Sequence, residues 1–141
     1  VVTGVQTCAL PIYAWGENRS DKQPLPQMPP LEGRLALDYT GQKWRTGLQW
    51  RVVAPQHRVA QNKGNVTGQD LGPSAGFGVL SWSAGYTFND HFESRVGIEN
   101  LFNKYYSEHL NLAGASQFGY ASDQQIPEPG RVWWLAATYH F

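Results

Sequence analysis

Five stretches of the chain alternate strictly between apolar and polar residues. The stretch LEGRLALDY is typical, because Leu35 and Leu37 fall on one face while Arg34 and Asp38 fall on the other. A period of two residues indicates a β-strand whose two faces meet different surroundings. The alternation predicts strands over residues 31–39, 43–53, 77–88, 92–102 and 131–141.

The connections between these predicted strands are alternately short and long. Residues 40–42 and 89–91 make short turns, whereas residues 54–76 and 103–129 are long, polar and rich in glycine. Antiparallel neighbours reverse direction at each connection, so all the long connections fall at one edge of the sheet. Short turns at one end and long loops at the other are typical of outer-membrane barrels.

The lengths of the strands and the positions of the aromatic residues favour a membrane wall. The predicted strands run for nine to eleven residues, which is the length that crosses a bilayer at a tilt, whereas strands of soluble proteins usually have about five or six residues. Aromatic residues stand beside the short turns or the chain end, as in an interfacial girdle: Tyr39, Trp44, Tyr86, Phe88, Phe92, Tyr139 and Phe141. We therefore predict an all-β fold, an antiparallel transmembrane β-barrel segment. A soluble lectin-like sandwich has the same alternation and remains the alternative.

Composition excludes several other classes. The chain of 141 residues has 11 Lys and Arg against 11 Asp and Glu, so it lacks the basic surplus that a nucleic-acid partner requires. A mean hydropathy of −0.45 suits a wall of which one face is wet. No phosphate-binding loop, metalloprotease motif or nucleophile–base pair is visible, so we expect neither an enzyme nor a cofactor.

The first twelve residues have a different expected origin. Val2–Ile12 back-translates without a mismatch, over eleven consecutive codons, into DNA that resembles a common short-read sequencing adaptor. We expect residues 1–12 to be non-native and residues 13–141 to be the barrel part, which then contains no cysteine once Cys8 is removed. The alternative is an ordinary strand that carries a cysteine.

Two motifs near the end of the chain resemble a known family. GIENLFNKYYSEHL followed by EPGRVWWLAATYHF is similar to the C-terminal part of TonB-dependent outer-membrane receptors. The matching residues are Asn100, Leu101, Phe102, Lys104, Tyr106, Pro129, Gly130, Arg131, Tyr139 and Phe141. The resemblance implies about the last six strands of a larger barrel that encloses a plug. It also implies a lipid-facing wall, TonB contact through an N-terminal part that precedes this chain, and a terminal signal at Tyr139 and Phe141 for the barrel-assembly machinery.

The amino-acid sequences of the loops suggest which ligand such a receptor carries. PLPQMPPLEGRLALDY, GNVTGQDLGPSAGFGVLS and YYSEHLNLAGA resemble the TonB-dependent copper receptors. Copper is therefore the expected ligand, and siderophore iron or cobalamin is the alternative within the superfamily. A passive porin or an adhesive barrel is the alternative from another class. Three residues in predicted loops are candidate metal ligands, because a soft metal takes thioether and imidazole ligands: Met28, His57 and His109. They are weak candidates, since their spacing matches no metal site.

Overall fold

The computed structural model describes residues 3–65, 68–113, 119–121 and 123–141, and all regular secondary structure among them is β. No helix within these ranges is long and apolar enough to cross a membrane. In chain order the strands are β1 (Gly4–Ile12), β2 (Glu17–Asn18), β3 (Gln23–Pro24), β4 (Glu32–Thr40), β5 (Trp44–Val53), β6 (Gly64–Asn65), β7 (Gly68–Gln69), β8 (Phe77–Thr87), β9 (Phe92–Glu99) and β10 (Val132–Tyr139).

Six of these strands form one antiparallel sheet in the order β1-β4-β5-β8-β9-β10. The register pairs Leu37 with Leu48 and Trp50 with Leu80, so apolar residues of neighbouring strands lie opposite one another. Residues that pair directly across antiparallel strands share a face of the sheet. The predicted all-β antiparallel fold is therefore confirmed, with the alternation of each strand carried across the sheet.

The apolar face of the sheet is uncovered. Leu135 is 78% exposed, and Leu35, Leu37, Trp50 and Trp133 are exposed as well. The other sheets in the described ranges are only two-strand pieces, β2-β3 and β6-β7, which lie in the long connections. A soluble sandwich would bury this face under a second sheet. The structure therefore contradicts the sandwich alternative.

The predicted aromatic row lies along the edge with the short turns. Ring centroids are 4.4 Å apart for Trp44 and Tyr86, 4.8 Å for Tyr86 and Phe88, and 5.1 Å for Phe88 and Phe92. Such distances are those of interacting aromatic pairs. The row is thus continuous from β5 to the start of β9.

The polar face is partly covered at the opposite edge. Val53, Phe77 and Val79 are buried there, and the ring of Tyr106 packs 4.3 Å from that of Phe77, centroid to centroid. Tyr106 belongs to the connection between β9 and β10. The start of this connection therefore packs over the polar face of the sheet.

Residues 4–12, which the sequence analysis set aside, form the edge strand β1. All nine of its residues are exposed. Leu10 and Ile12 lie directly opposite Arg34 and Glu32, on the charged face of the sheet. A free edge offers backbone N–H and C=O groups to any extended segment, so pairing requires little of the side chains.

The strand predicted to end at Phe102 ends at Glu99 instead. Asn100 takes a left-handed conformation, with φ of 51°, which Asn tolerates better than most residues. Its buried side-chain amide accepts a hydrogen bond from the Lys104 N–H at 2.7 Å and donates to the Lys104 carbonyl at 2.8 Å. This local network turns the chain out of the sheet earlier than the alternation suggests.

The same turn contacts the start of the last strand. Asn100 also donates to the Pro129 carbonyl at 3.4 Å, and Asn103 accepts from the Arg131 N–H at 2.9 Å. A side chain at Gly130 would place its Cβ 2.6 Å from the Asn103 amide oxygen. Residues of the two motifs near the end of the chain are therefore one unit in space, which we call the clasp: Asn100, Asn103, Lys104, Pro129, Gly130 and Arg131.

We predict that Asn100→Gly destabilises the full-length protein by about 1–3 kcal/mol. Glycine keeps the left-handed backbone, so the change reports the lost side-chain hydrogen bonds alone. The measurement is the free energy of unfolding in urea, in detergent micelles. Asn62→Gly is the control, since Asn62 also has a positive φ, of 59°, but is exposed. Equal costs at the two positions would contradict the clasp.

Candidate functional site

Three long connections meet at the edge of the sheet away from the aromatic row. We call the residues that the structure describes within 20–30, 54–76 and 103–129 the outer mouth. The Gln56 side chain donates to the Met28 carbonyl at 3.1 Å, and the backbones of Gln56 and Ser74 exchange two hydrogen bonds of 3.0 Å. The connections therefore contact one another as well as the sheet.

A buried carboxylate lies at the centre of this region. Asp70 is 3% exposed, and its two oxygens accept different backbone amides. Oδ1 accepts from the Gln27 N–H at 3.0 Å, and Oδ2 accepts from the Ala60 N–H at 2.9 Å. Hydrogen bonds to both oxygens offset the large cost of removing a carboxylate from water.

His109 brings the third connection to the same carboxylate. Its Nε2 lies 3.7 Å from Asp70 Oδ1, and its Nδ1 lies 3.0 Å from the Ser74 hydroxyl. The side chains of His109 and Asp70 are each 2% exposed. Burial lowers the pKa of His109 below its ordinary value of 6.5 and outweighs the opposing effect of the Asp70 carboxylate. The imidazole is therefore neutral at pH 7.

Ser74, His109 and Asp70 stand in the order of a catalytic triad, yet the geometry is that of a structural contact. The separation of 3.7 Å between Nε2 and Oδ1 is too long for the hydrogen bond that orients a catalytic histidine. Both Asp70 oxygens already accept backbone amides. The cluster joins connections instead of activating a nucleophile.

The structure does not bring the three weak metal-ligand candidates together within the residues that it describes. His109 is buried against Asp70, His57 is exposed, and the Met28 sulfur packs beside Gly16. Among the residues that the structure describes, no group of three His, Cys, Asp or Glu side chains could hold a metal ion. Asp70 and Ser74, which the sequence analysis did not single out, organise the region instead.

Charged residues on the polar face pair with one another. Arg51 donates to Glu32 at 2.6 Å, to Glu108 of the outer mouth, and lies 5.4 Å from the Phe77 ring centroid. Nearer the short turns, Arg45 donates to Glu93 at 2.5 Å. Arg51 thus ties the wall to the connection that carries His109.

The expected assembly signal lies at the opposite edge from the mouth. The Tyr139 and Phe141 rings are 5.3 Å apart, centroid to centroid, and His140 donates its N–H to the His91 carbonyl at 2.8 Å. The end of the chain is thus fixed against the short turn before β9. The clasp, by contrast, lies at the mouth edge. Within the same turn, Leu101 donates its N–H to the Leu80 carbonyl at 2.7 Å and Phe102 is exposed.

The chain is similar to proteins of known role. The ferric enterobactin receptor PirA of Pseudomonas aeruginosa is 32% identical over 93 residues, which are 64% of this chain and 11% of that receptor. The structure of the copper transporter OprC superposes on the whole chain with a TM-score of 0.94 and 45% identity, over 22% of the transporter. The ferric-catecholate import receptor Fiu of E. coli K12 shares the fold, with a TM-score of 0.68 and 19% identity over 97% of this chain and 19% of Fiu.

These matches cover a small part of much longer proteins, so the chain spans about a tenth to a fifth of the relatives. A family model described as TonB dependent receptor-like, beta-barrel matches residues 7–101, which is more than half of the chain. The chain therefore belongs to the TonB-dependent receptor family and forms antiparallel strands of its β-barrel.

Proposed function

We propose that the complete protein is an outer-membrane receptor that binds copper at the cell surface and passes it inward. The observation that carries the proposal is the likeness to the copper transporter OprC, at 45% identity over the whole chain, against 19% for the ferric-catecholate receptor. The resemblance of the loop sequences to copper receptors is part of the same likeness. Uptake of a ferric siderophore is the second candidate, because PirA is 32% identical.

In this proposal the sheet is part of a lipid-facing wall. The apolar face carries no charged residues and has aromatic residues along its edge, which suits the bilayer. The paired charges of the polar face suit a wet lumen that holds a plug. The outer mouth then faces the medium. Energy reaches the plug from the TonB complex through an N-terminal part outside this chain. The strands themselves perform no chemical step.

The copper ligands are proposed to lie mainly outside this chain. A soft metal takes thiolate, thioether or imidazole ligands. The described part of the outer mouth offers Met28 and His57. His109 is buried against Asp70 and hydrogen-bonded to Ser74. The role of this region is therefore to shape the mouth around ligands supplied by the plug and by other loops.

The last residues are proposed to guide assembly. Tyr139 and Phe141 present exposed rings at the edge opposite the mouth, where the chain ends on an aromatic side chain. Such an exposed aromatic end fits recognition by the barrel-assembly machinery before the wall closes.

Residues 1–12 are proposed to be foreign to the receptor. Support comes from the back-translation of Val2–Ile12, over eleven consecutive codons, into DNA that resembles a sequencing adaptor. The receptor sequence then begins, within this chain, at about Tyr13.

The wall assignment predicts unequal costs on the two faces. Leu48→Arg in the full-length receptor is expected to destabilise it by about 2–4 kcal/mol, because arginine would lie near the bilayer centre. Gln49→Arg is the matched control on the adjacent residue, and its cost is expected to be much smaller. Urea unfolding in lipid vesicles measures both. Similar costs on the two faces would exclude the lipid-facing assignment.

The copper assignment predicts selective metal uptake. Cells that express the full-length receptor are expected to accumulate copper faster than cells that lack it, and only when TonB is present. Metal content is measured by mass spectrometry after exposure to copper alone, with replacement of upstream Met, Cys or His residues as the loss-of-function arm. Retention of a ferric siderophore without any copper would reject copper and leave the family unchanged.

The foreign origin of the first residues is tested by sequencing. Genomic DNA of the source is expected to contain the codons from Tyr13 onward but not those for Val2–Ile12 in front of them. The readout is the reading frame upstream of Tyr13, determined without adaptor ligation. An uninterrupted genomic frame that includes VTGVQTCALPI would show the segment to be native.

A further inference from the structure

Asp70 is an unusual residue for a long polar connection. Its side chain is only 2% exposed, although charged residues in loops normally keep their charge in water. The carboxylate contacts the connection that precedes β4 through Gln27, its own connection through Ala60, and the connection that precedes β10 through His109. One buried charge is therefore shared by all three parts of the outer mouth.

Sharing a buried charge couples the three parts. If either Gln27 or Ala60 moved away, one Asp70 oxygen would remain buried without a hydrogen bond, which is costly. If the third connection moved away, His109 would lose the contact with Ser74 at 3.0 Å and would open the carboxylate to water. Each connection thus stabilises the position of the other two.

We propose that Asp70 is a positioning residue of the receptor, which holds residues 20–30, 54–76 and 103–129 in a single arrangement of the outer mouth. The inference deepens the proposed function and rests on it in one respect, namely that the long connections face the medium. It concerns the shape of the entrance and is independent of which ligand enters.

The geometry also makes the arrangement sensitive to pH. Asp70 is the charged group that faces His109 Nε2, while the neighbouring Glu108 is directed to Arg51. Because the pKa of His109 is lowered in this arrangement, the released connection binds the proton more readily than the docked one. The docked arrangement is thus at full strength above about pH 6.5 and weakens as the pH falls through the lowered value.

Limited proteolysis of the full-length receptor tests the proposal. Trypsin reports on Arg58 and Lys63 in the second connection, and chymotrypsin reports on the exposed Leu110 and Leu112 in the third. Asp70→Asn keeps the size of the side chain but leaves one backbone amide without an acceptor. Cleavage at all four residues is expected to rise about tenfold, as for the loss of one buried hydrogen bond to a charge.

Asp123→Asn is the matched control, because Asp123 is an exposed carboxylate in the same mouth. Its cleavage rates are expected to equal those of the wild type. The amount of each variant in the outer membrane is also expected to equal that of the wild type. Unchanged rates in Asp70→Asn would overturn the proposal. Digestion of the purified receptor in micelles tests the role of Asp70 itself. Digestion of intact cells tests the orientation: if the connections were protected from protease only in intact cells, they would face inward, which would contradict the proposed function.

His109→Phe provides an independent arm if Asp70→Asn fails to assemble. Cleavage at Leu110 and Leu112 is expected to rise most. Cleavage at Arg58 and Lys63 is expected to rise less, since the Asp70 carboxylate becomes open to water but keeps both backbone amides. In the wild type, cleavage at Leu110, divided by that of an unstructured peptide of the same sequence, is expected to increase as the pH falls from about 7.5 to about 5.5 around the ordinary histidine pKa. The variant is expected to lose this pH dependence. A His109→Phe receptor with wild-type rates and wild-type pH dependence would exclude the coupling.

Discussion

The constraint on which the rest of the structure depends is that backbone polar groups in a hydrocarbon layer need partners within the protein. Five long strands, β4, β5, β8, β9 and β10, meet this constraint by pairing with one another in sequence order. The first and last strands of the sheet each leave one row of backbone groups unpaired, and such open edges do not exist in lipid. The chain is thus one sector of a closed wall, in agreement with its short coverage of the much longer relatives.

A closed wall leaves its ends free for other tasks, and the two ends of this sector differ. The edge with the short turns carries the aromatic row and the terminal Phe141, whereas the other edge carries long connections that pack on one another. Arg51 joins the sheet to the mouth, because it reaches from the mouth end of β5 to Glu108 beside His109. The Asp70 cluster is thereby anchored to a rigid sheet, which is how loops can present a defined surface.

Alternation made the sheet predictable from sequence, since a period of two assigns every residue of β4 or β5 to a face without reference to distant residues. The loop geometry was not predictable in this way. Asp70 and His109 are 39 positions apart (109 − 70) in the numbering of the chain, and nothing in the surrounding letters distinguishes Asp70 from a solvated loop aspartate. The early end of β9 at Asn100 was missed for a related reason, because its side-chain hydrogen bonds to Lys104 and Pro129 override the apolar period that continues to Phe102. Trp134 lies on the polar face, over Gly97, and donates to Glu99, a contact that depends on register and not on periodicity.

The central claim is that this sector shapes the mouth of a copper receptor whose metal ligands lie elsewhere in the protein. A crystal structure of the full-length receptor, grown with copper and recorded at the copper absorption edge, tests it most directly. The account predicts an anomalous peak on thiolate, thioether or imidazole ligands outside residues 13–141, with Asp70 still bound to Gln27 and Ala60 and still facing His109. A peak coordinated by His109, or no copper peak and a ferric siderophore in the mouth, would contradict it.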